Sequence, residues 1–198
     1  PKILKKVARL LLLPYFKLAK YIFNHSDSIT SITNSFIDWI KLFSSYKNKV
    51  TDNKKPNFIL APLVRKRIIL SQIKRRNSFY YWQKKGIDIM KGNHFAFVGS
   101  LSNSFDFNLI YEIANFLIKK YPNYFFIICG TGDRSQELKL LFKNSPNVII
   151  NGEVDQYDAA TLIATSIASL APYSNEKNFQ KSIPNKVIES LESGVPFI

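Results

Sequence analysis

Four continuous apolar segments, separated by amphipathic ones, occupy the second half of the chain. They are four to six residues long and span residues 94–98, 124–129, 147–150 and 166–171. Strands that are apolar throughout are typical of a parallel sheet with helices on both faces. The segments between them show helical periodicity, over residues 107–120, 135–143 and 155–164. We therefore predict an α/β fold with a Rossmann-like parallel sheet over residues 93–198.

Glycine follows three of the four predicted strands. Gly99-Ser100 comes after the first strand, Gly130 and Gly132 after the second, and Gly152-Glu153-Val154 after the third. Ligands of open parallel sheets bind beyond the carboxyl ends of the strands. Glycine at that place lets main-chain N–H groups approach a phosphate closely. The recurrence of glycine at the strand ends indicates a phosphate-binding edge.

The last stretch, residues 181–198, predicts a tight loop, a short helix and the start of a buried strand. Pro184 suits the first turn of a helix, because it has no N–H to lose there and its φ is already helical. Gly194 suits a left-handed C-cap, and Pro196 prevents the helix from continuing.

Three polar residues, Asn185, Lys186 and Glu189, lie near the start of this helix. A helix N-terminus favours an anion, and a carboxylate can accept hydrogen bonds from two sugar hydroxyls. A site for a phosphate-bearing polyol is one interpretation. The alternative is a surface helix capped by a polar loop.

The basic character of the chain is confined to its first half. Of the net charge of +14, residues 1–92 carry 20 Lys and Arg against 4 Asp and Glu, and residues 93–198 carry 8 against 10. Residues 1–24 predict a helix broken at Pro14, with lysines beside a broad apolar face. Such a helix can lie on an anionic membrane surface, or it can be an ordinary domain helix with solvated lysines.

Residues 26–33 predict a short strand, and Asn34 or Ser35 is expected to cap a helix that extends to residue 43. Another short strand is predicted at 58–62. The basic segment 63–92 contains the aromatic run 79–82, which could stack nucleic-acid bases. No RNA-binding motif accompanies it, so we predict an inter-domain linker there and consider nucleic acid an unlikely partner.

The chain has one cysteine, Cys129, and two distant histidines. No internal disulfide framework is possible, and no Cys/His cluster has the spacing of metal ligands. The apolar stretch 10–16 is too short to span a bilayer, and we find no secretory signal. We expect a cytoplasmic protein.

Several segments, in order, resemble the donor-binding domain of retaining GT-B glycosyltransferases of the "glycosyl transferases group 1" type. They are FVGSLSNSFDFNLIYEIANFL, YFFIICGTGDRSQELKLL, NVIINGEVDQYDAATLIATSIASLAPY and SIPNKVIESLESGVPFI. The likeness is greatest to members that build bacterial surface polysaccharides. HSDSITSITNSFIDWIKLF resembles the end of their N-terminal domain. The resemblance implies a remnant of that acceptor-side domain at 1–62 and a donor domain at 93–198, truncated at its C-terminus.

The resemblance also implies roles for particular residues. The segment 184–189 would face a nucleotide-sugar, with Glu189 on the ribose hydroxyls and Lys186 near the diphosphate. Gly99 and Ser100 would lie at the same diphosphate, and Glu153 and Val154 against the base. The implied activity transfers a sugar from a donor, expected to be UDP-linked, to a glycan or lipid-linked acceptor at the inner membrane face. Metal is not expected, because basic residues and N–H groups stabilise the leaving diphosphate. No catalytic residue is assigned.

Two departures from the family pattern concern charge. Position 181, where many relatives have a glutamate, is lysine, and the first glycine loop has serines where relatives carry Arg or Lys. Lys181 or Lys186 could replace that missing cation. We expect the chain to be an internal fragment that has no catalytic activity by itself. The alternative is a basic module that binds nucleic acid or membrane, with a structural α/β domain.

Overall fold

The structure, a computed structural model, describes residues 2–44, 56–64, 68–175 and 184–198. The chain forms two compact units, residues 1–64 and 65–198. In the first unit the elements are α1 (Lys2–Leu11), α2 (Leu13–His25), β1 (Ser28–Ser31), α3 (Asn34–Phe43) and β2 (Asn57–Leu60). The two strands pair in parallel, with Ile29 opposite Phe58.

Local sequence signals account for the helix ends in the first unit. The predicted break is confirmed, because α1 ends before Pro14 and Pro14 lies in the first turn of α2. The expected cap of α3 was one residue late, since the Thr33 hydroxyl accepts from Phe36 N at 3.4 Å. α2 and α3 are held together by a cluster of rings from Phe16, Phe23, Trp39 and Phe43. No helix in the described ranges is long and apolar enough to cross a bilayer.

The second unit alternates strands and helices as predicted. Its elements are α4 (Gln72–Lys84), β3 (His94–Val98), α5 (Phe107–Lys120), β4 (Phe125–Cys129), α6 (Ser135–Leu141), β5 (Val148–Gly152), α7 (Gln156–Ala164), β6 (Ala168–Ser169) and α8 (Asn185–Ser193), with a 3-10 turn at Ile89–Lys91. The sheet order is β5-β4-β3-β6, and every pairing is parallel. Phe197 pairs in parallel with Ser169, so the predicted final strand begins beside β6.

Both faces of this sheet are buried, which explains why its strands are apolar throughout. On one face Phe126 and Ile128 of β4 pack with Phe97 and Phe107. On the other face Ile127 and Cys129 of the same strand pack with Leu162 of α7. Successive side chains of a strand point to opposite faces, so both sets must be apolar when both faces are covered.

The segment expected to be an inter-domain linker, 63–92, contains α4, and α4 packs within the second unit. Trp82 is 0% exposed, and its indole N–H donates to the carbonyl of Asp158 in α7 at 3.2 Å. The Ser71 hydroxyl accepts from Lys74 N at 3.4 Å and caps the helix. The compact unit therefore begins well before residue 93. Composition suggested a linker because the exposed side of α4 is strongly basic.

Candidate functional site

The order of the strands creates a crevice beside β3. The chain leaves β3 towards β4 on one side, whereas β6 lies on the other side. Ligands of such sheets bind where the strand order reverses, beyond the carboxyl ends. The loops there are joined by main-chain hydrogen bonds, from Gly99 N to Cys129 O at 2.9 Å and from Leu101 N to Thr131 O at 2.9 Å. The glycine loops predicted from the sequence therefore form one continuous edge.

Two of the predicted glycines are required by packing between these loops. A Cβ on Gly130, whose φ is +134°, would collide with the carbonyl of Gly99. A Cβ on Gly132 would lie 2.5 Å from the carbonyl oxygen of Leu101. The structure thus explains glycine at both positions without a ligand. Their contact with a donor stays a prediction.

α8 begins beside this edge. Pro184 was expected in the first turn of the helix, but it is the extended N-cap residue, with φ −70° and ψ 147°, and the helix starts at Asn185. Its carbonyl accepts from Val187 N at 3.1 Å, which is the first bond of the helix. Gly194 ends the helix with φ +68°, as predicted. Lys181 lies outside the described residues.

Lys186 crosses from α8 to the carboxyl end of β3. Its ammonium donates to the main-chain carbonyl of Val98 and stands 4.2 Å from the centroid of the Phe97 ring and 5.2 Å from that of Phe105. A Cβ on Gly99 would collide with Lys186 Nζ, so glycine at 99 makes room for this cation. Burial lowers the pKa of Lys186 to about 8, although the charge of Glu189 acts in the opposite direction.

Glu189 lies one turn after Lys186 and lines a cavity of about 550 Å³ between α7 and α8. Val98, Gln156, Ile163 and Arg75 are also among its lining residues. Tyr173, just after β6, has a raised pKa because of its burial and the charge of Glu189. Lys186, Glu189 and the end of β3 thus share one side of the crevice, and their contact with a nucleotide-sugar stays a prediction.

Glu153 and Val154 begin the loop after β5, farther along the same edge. The Glu153 carboxylate accepts a hydrogen bond from the Thr131 hydroxyl at 2.7 Å, which joins this loop to the one after β4. Val154 packs against the core beneath α7. Ser100 and Asn185 are exposed. The structure therefore brings Lys186 to Gly99, and it places Glu153 against Thr131.

Sequence reasoning missed the aromatic support of Lys186. Phe97, the fourth residue of β3, was counted only as part of the apolar strand 94–98, and Phe105, in the loop that follows, was given no role. The aromatics on either side of the glycine loop were the available signal. Arg75 of the cavity was missed because α4 was taken as a linker, and Gln156 was counted only as part of the helix predicted over 155–164. Across the described ranges no group of three or more His, Cys, Asp or Glu could hold a metal ion.

The family described as glycosyl transferases group 1 matches residues 92–198, more than half of the chain. The chain belongs to the glycosyl transferases group 1 family. The matched region includes the whole sheet of the second unit together with Gly99, Lys186 and Glu189. No protein with curated annotation matches the chain in sequence.

Solved glycosyltransferase structures share the fold of this family member. The pneumococcal O-GlcNAc transferase GtfA, solved with UDP and GlcNAc, has a TM-score of 0.59 at 16% identity over 89% of this chain and 31% of its own. HepE of Anabaena, solved with UDP and glucose, has a TM-score of 0.60 at 12% identity, covering 92% and 47%. WaaG, a glycosyltransferase involved in lipopolysaccharide biosynthesis, has a TM-score of 0.56 at 16% identity. The match covers 85% of this chain and 42% of WaaG.

These similarities confirm the predicted GT-B fold with its Rossmann-like domain. The chain spans less than half the length of each of these three proteins. The family match establishes which family the chain belongs to, and the solved structures establish the fold of its second unit.

Proposed function

We propose that the intact protein is a glycosyltransferase that transfers a sugar from a nucleoside-diphosphate sugar, UDP-linked, to a glycan or lipid-linked acceptor. The observation that carries this proposal is the meeting of Lys186 with Gly99 at the carboxyl end of β3, one helical turn from Glu189. A cation beside a glycine loop suits a diphosphate, and a nearby carboxylate suits vicinal hydroxyls.

The remaining residues of the edge fit the same arrangement. The diphosphate would face Lys186 and the N–H groups of Gly99 and Ser100, with the ribose towards Glu189. The base would lie towards Glu153 and Val154 in the next loop. Two of the structural relatives were solved with UDP, which supports a uridine nucleotide here as well.

Chemically, the residues of this edge would stabilise a leaving diphosphate. The bond from the anomeric carbon to the phosphate oxygen breaks, and negative charge develops on that oxygen. A preorganised ammonium and main-chain N–H groups favour the charge where it develops. Under this proposal the donor site works without a bound metal, with Lys186 as its cation.

The decisive experiment is a thermal-shift titration of the full protein with UDP, GDP and ADP. We expect UDP to raise the melting temperature selectively and the Glu189→Gln variant to lose the effect. Glu112→Gln, an exposed carboxylate on α5, is the matched control and should respond as the unaltered protein does. A folded full-length protein that responds to no nucleotide would overturn the proposal.

We further propose that α1 and α2 contact the anionic inner face of the membrane, where a lipid-linked acceptor would be found. Leu18 and Ile22 of α2 are 57% and 51% exposed, and Arg9 and Lys17 are exposed as well. No acidic residue precedes Asp27. Exposed apolar side chains with cations and no anions suit an anionic lipid surface.

Flotation with vesicles tests this contact. We expect the protein to bind vesicles that contain phosphatidylserine and not to bind vesicles of phosphatidylcholine. Binding should be weakened in Leu18→Ser. Leu140→Ser, at a 74% exposed position of the second unit, is the control and should bind normally. Equal flotation of Leu18→Ser and the unaltered protein would contradict the assignment.

A further inference from the structure

The glycine loop that follows β3 contains no cation of its own. Residues 99–106 read Gly-Ser-Leu-Ser-Asn-Ser-Phe-Asp. Arg134 is near, but its guanidinium binds the Glu137 carboxylate at 2.8 Å and 2.5 Å and the carbonyl of Phe105 at 3.1 Å. Among the described cations, Lys186 is the one whose charged atom lies against Gly99. The charge at this loop is therefore delivered by α8.

Phe105 is fixed in place by neighbours from several elements. Its ring packs 4.7 Å from that of Tyr173 and 5.0 Å from that of Phe97, and the residue is 5% exposed. Its main chain bridges to Tyr173, and its carbonyl accepts the bond from Arg134. A buried ring with these neighbours has little freedom to turn, so it presents its face to a cation in one direction.

We propose that Phe105 is a positioning residue of the donor site, whose ring, with that of Phe97, holds the Lys186 ammonium beside Gly99 to meet the diphosphate. This inference rests on the proposed function, because it assigns a purpose to the place where Lys186 is held. Both ring centroids lie within about 6 Å of Nζ, the range of a cation–π interaction.

The hydrogen bond to Val98 alone would not fix the ammonium. An ammonium has three N–H donors, and one of them is used by the Val98 carbonyl. A lysine side chain has four rotatable bonds and is costly to order. The two rings limit the volume that the side chain can enter and so help to hold Nζ beside Gly99.

The test compares UDP with uridine, which lacks the diphosphate, in calorimetric titrations of the full protein. In Phe105→Leu we expect UDP to bind about threefold to tenfold more weakly and uridine to bind as before. Phe105→Tyr restores a ring and should restore UDP binding. Phe126→Leu is the matched control, since Phe126 is equally buried in the same core but stacks on Phe95 instead of a cation.

A second measurement reads the position of Lys186 without any ligand. In protein labelled at the lysine ε-carbons, the Lys186 ε-protons should be shifted upfield by the two rings, and Lys186→Arg identifies the signal. We expect the shift to shrink in Phe105→Leu and to persist in Phe126→Leu. An unchanged signal, or equal weakening of UDP and uridine, would overturn the positioning role.

The two proposals fail in different ways. If the unaltered protein binds no UDP while the ring-shifted lysine signal is present, the donor-site assignment is wrong, and Phe105 holds Lys186 for structural reasons only. If UDP binds and Phe105→Leu changes neither measurement, the donor site stands and the positioning role of Phe105 is wrong.

Discussion

The Lys186 ammonium occupies the space that a side chain at residue 99 would fill. Residues 99 and 186 are far apart in the sequence, yet a side chain at 99 would displace the Lys186 ammonium. The φ of Gly99 is +152°, a main-chain conformation that residues other than glycine rarely adopt. Glycine at 99 therefore serves two purposes: it permits this main-chain conformation, and it leaves space for the Lys186 ammonium.

Gly99→Ala should displace Lys186 and weaken nucleotide binding. We expect UDP to bind about tenfold more weakly, because a charge-assisted contact is lost. The free energy of unfolding should fall by about 1–3 kcal/mol from backbone strain. Titration calorimetry and urea denaturation measure the two effects. Gly86→Ala is the control, since Gly86 also has a positive φ, +75°, but open space around it. UDP affinity in that control should be unchanged.

The affinity for UDP should fall as the pH rises through about 8. Burial lowers the pKa of Lys186 to about 8, so the ammonium loses its proton above that pH. The charge of Glu189 opposes this shift in Lys186. The same charge, together with burial, raises the pKa of Tyr173. Between about pH 7 and pH 9.5 we expect affinity to drop about tenfold. In Lys186→Arg the charge persists, so its remaining affinity should stay level. A fall of the same size in Lys186→Arg would exclude Lys186 as the source.

Stability should decrease on mild acidification because of His94. Its ring is buried, its Nε2 lies 3.0 Å from the Leu162 carbonyl, and burial lowers its pKa below the ordinary 6.5. Below about pH 6.5 the unfolded chain takes up a proton that the folded protein resists, so stability is lost as the pH falls through that window. The slope contributed by one histidine is at most about 1.4 kcal/mol per pH unit. Urea denaturation at several pH values should show a shallower slope in His94→Gln. An identical slope would contradict this account.

Trp82→Ala should destabilise the second unit strongly although residue 82 precedes the sheet. Trp82 is 0% exposed and bonded to α7, and truncating a buried tryptophan costs about 3–5 kcal/mol. Hydrogen exchange at the amides of β4 measures this loss of stability at the centre of the sheet. Trp39→Ala, at a 46% exposed position of the first unit, should leave that exchange unchanged. Equal protection of β4 in both variants would mean that α4 is dispensable to the sheet.

Much of the fold could be predicted because its signals are local. The apolar strands, the glycine at the end of α8 and the helix break before Pro14 each depend on a few neighbouring residues. The errors were local as well. The cap of α3 was placed one residue late, and Pro184 was assigned to the helix instead of its N-cap. Both positions accept several residue types, so the sequence favours a boundary without placing it to the residue.

The candidate site was predicted in part, through the family resemblance and the glycine loops. That Lys186 and Glu189 lie near one another follows from their spacing of three on one helix. That Lys186 reaches β3 does not follow from any spacing, because it depends on which strand lies beside β6. The rings of Phe97 and Phe105 under the ammonium depend on the same long-range pairing.

By itself, the sequence determined an α/β domain of parallel strands with glycine loops at one edge, since burial on both faces of a sheet requires continuous apolar strands. The tertiary structure alone decided that α4 belongs to that domain, because only the packing of Trp82 against α7 overrides a basic, linker-like composition. It alone also decided that the cation of the glycine loop comes from α8. Strand order is set by the packing of distant segments, and it brought Lys186 to Gly99, where the lack of a side chain leaves room for the ammonium.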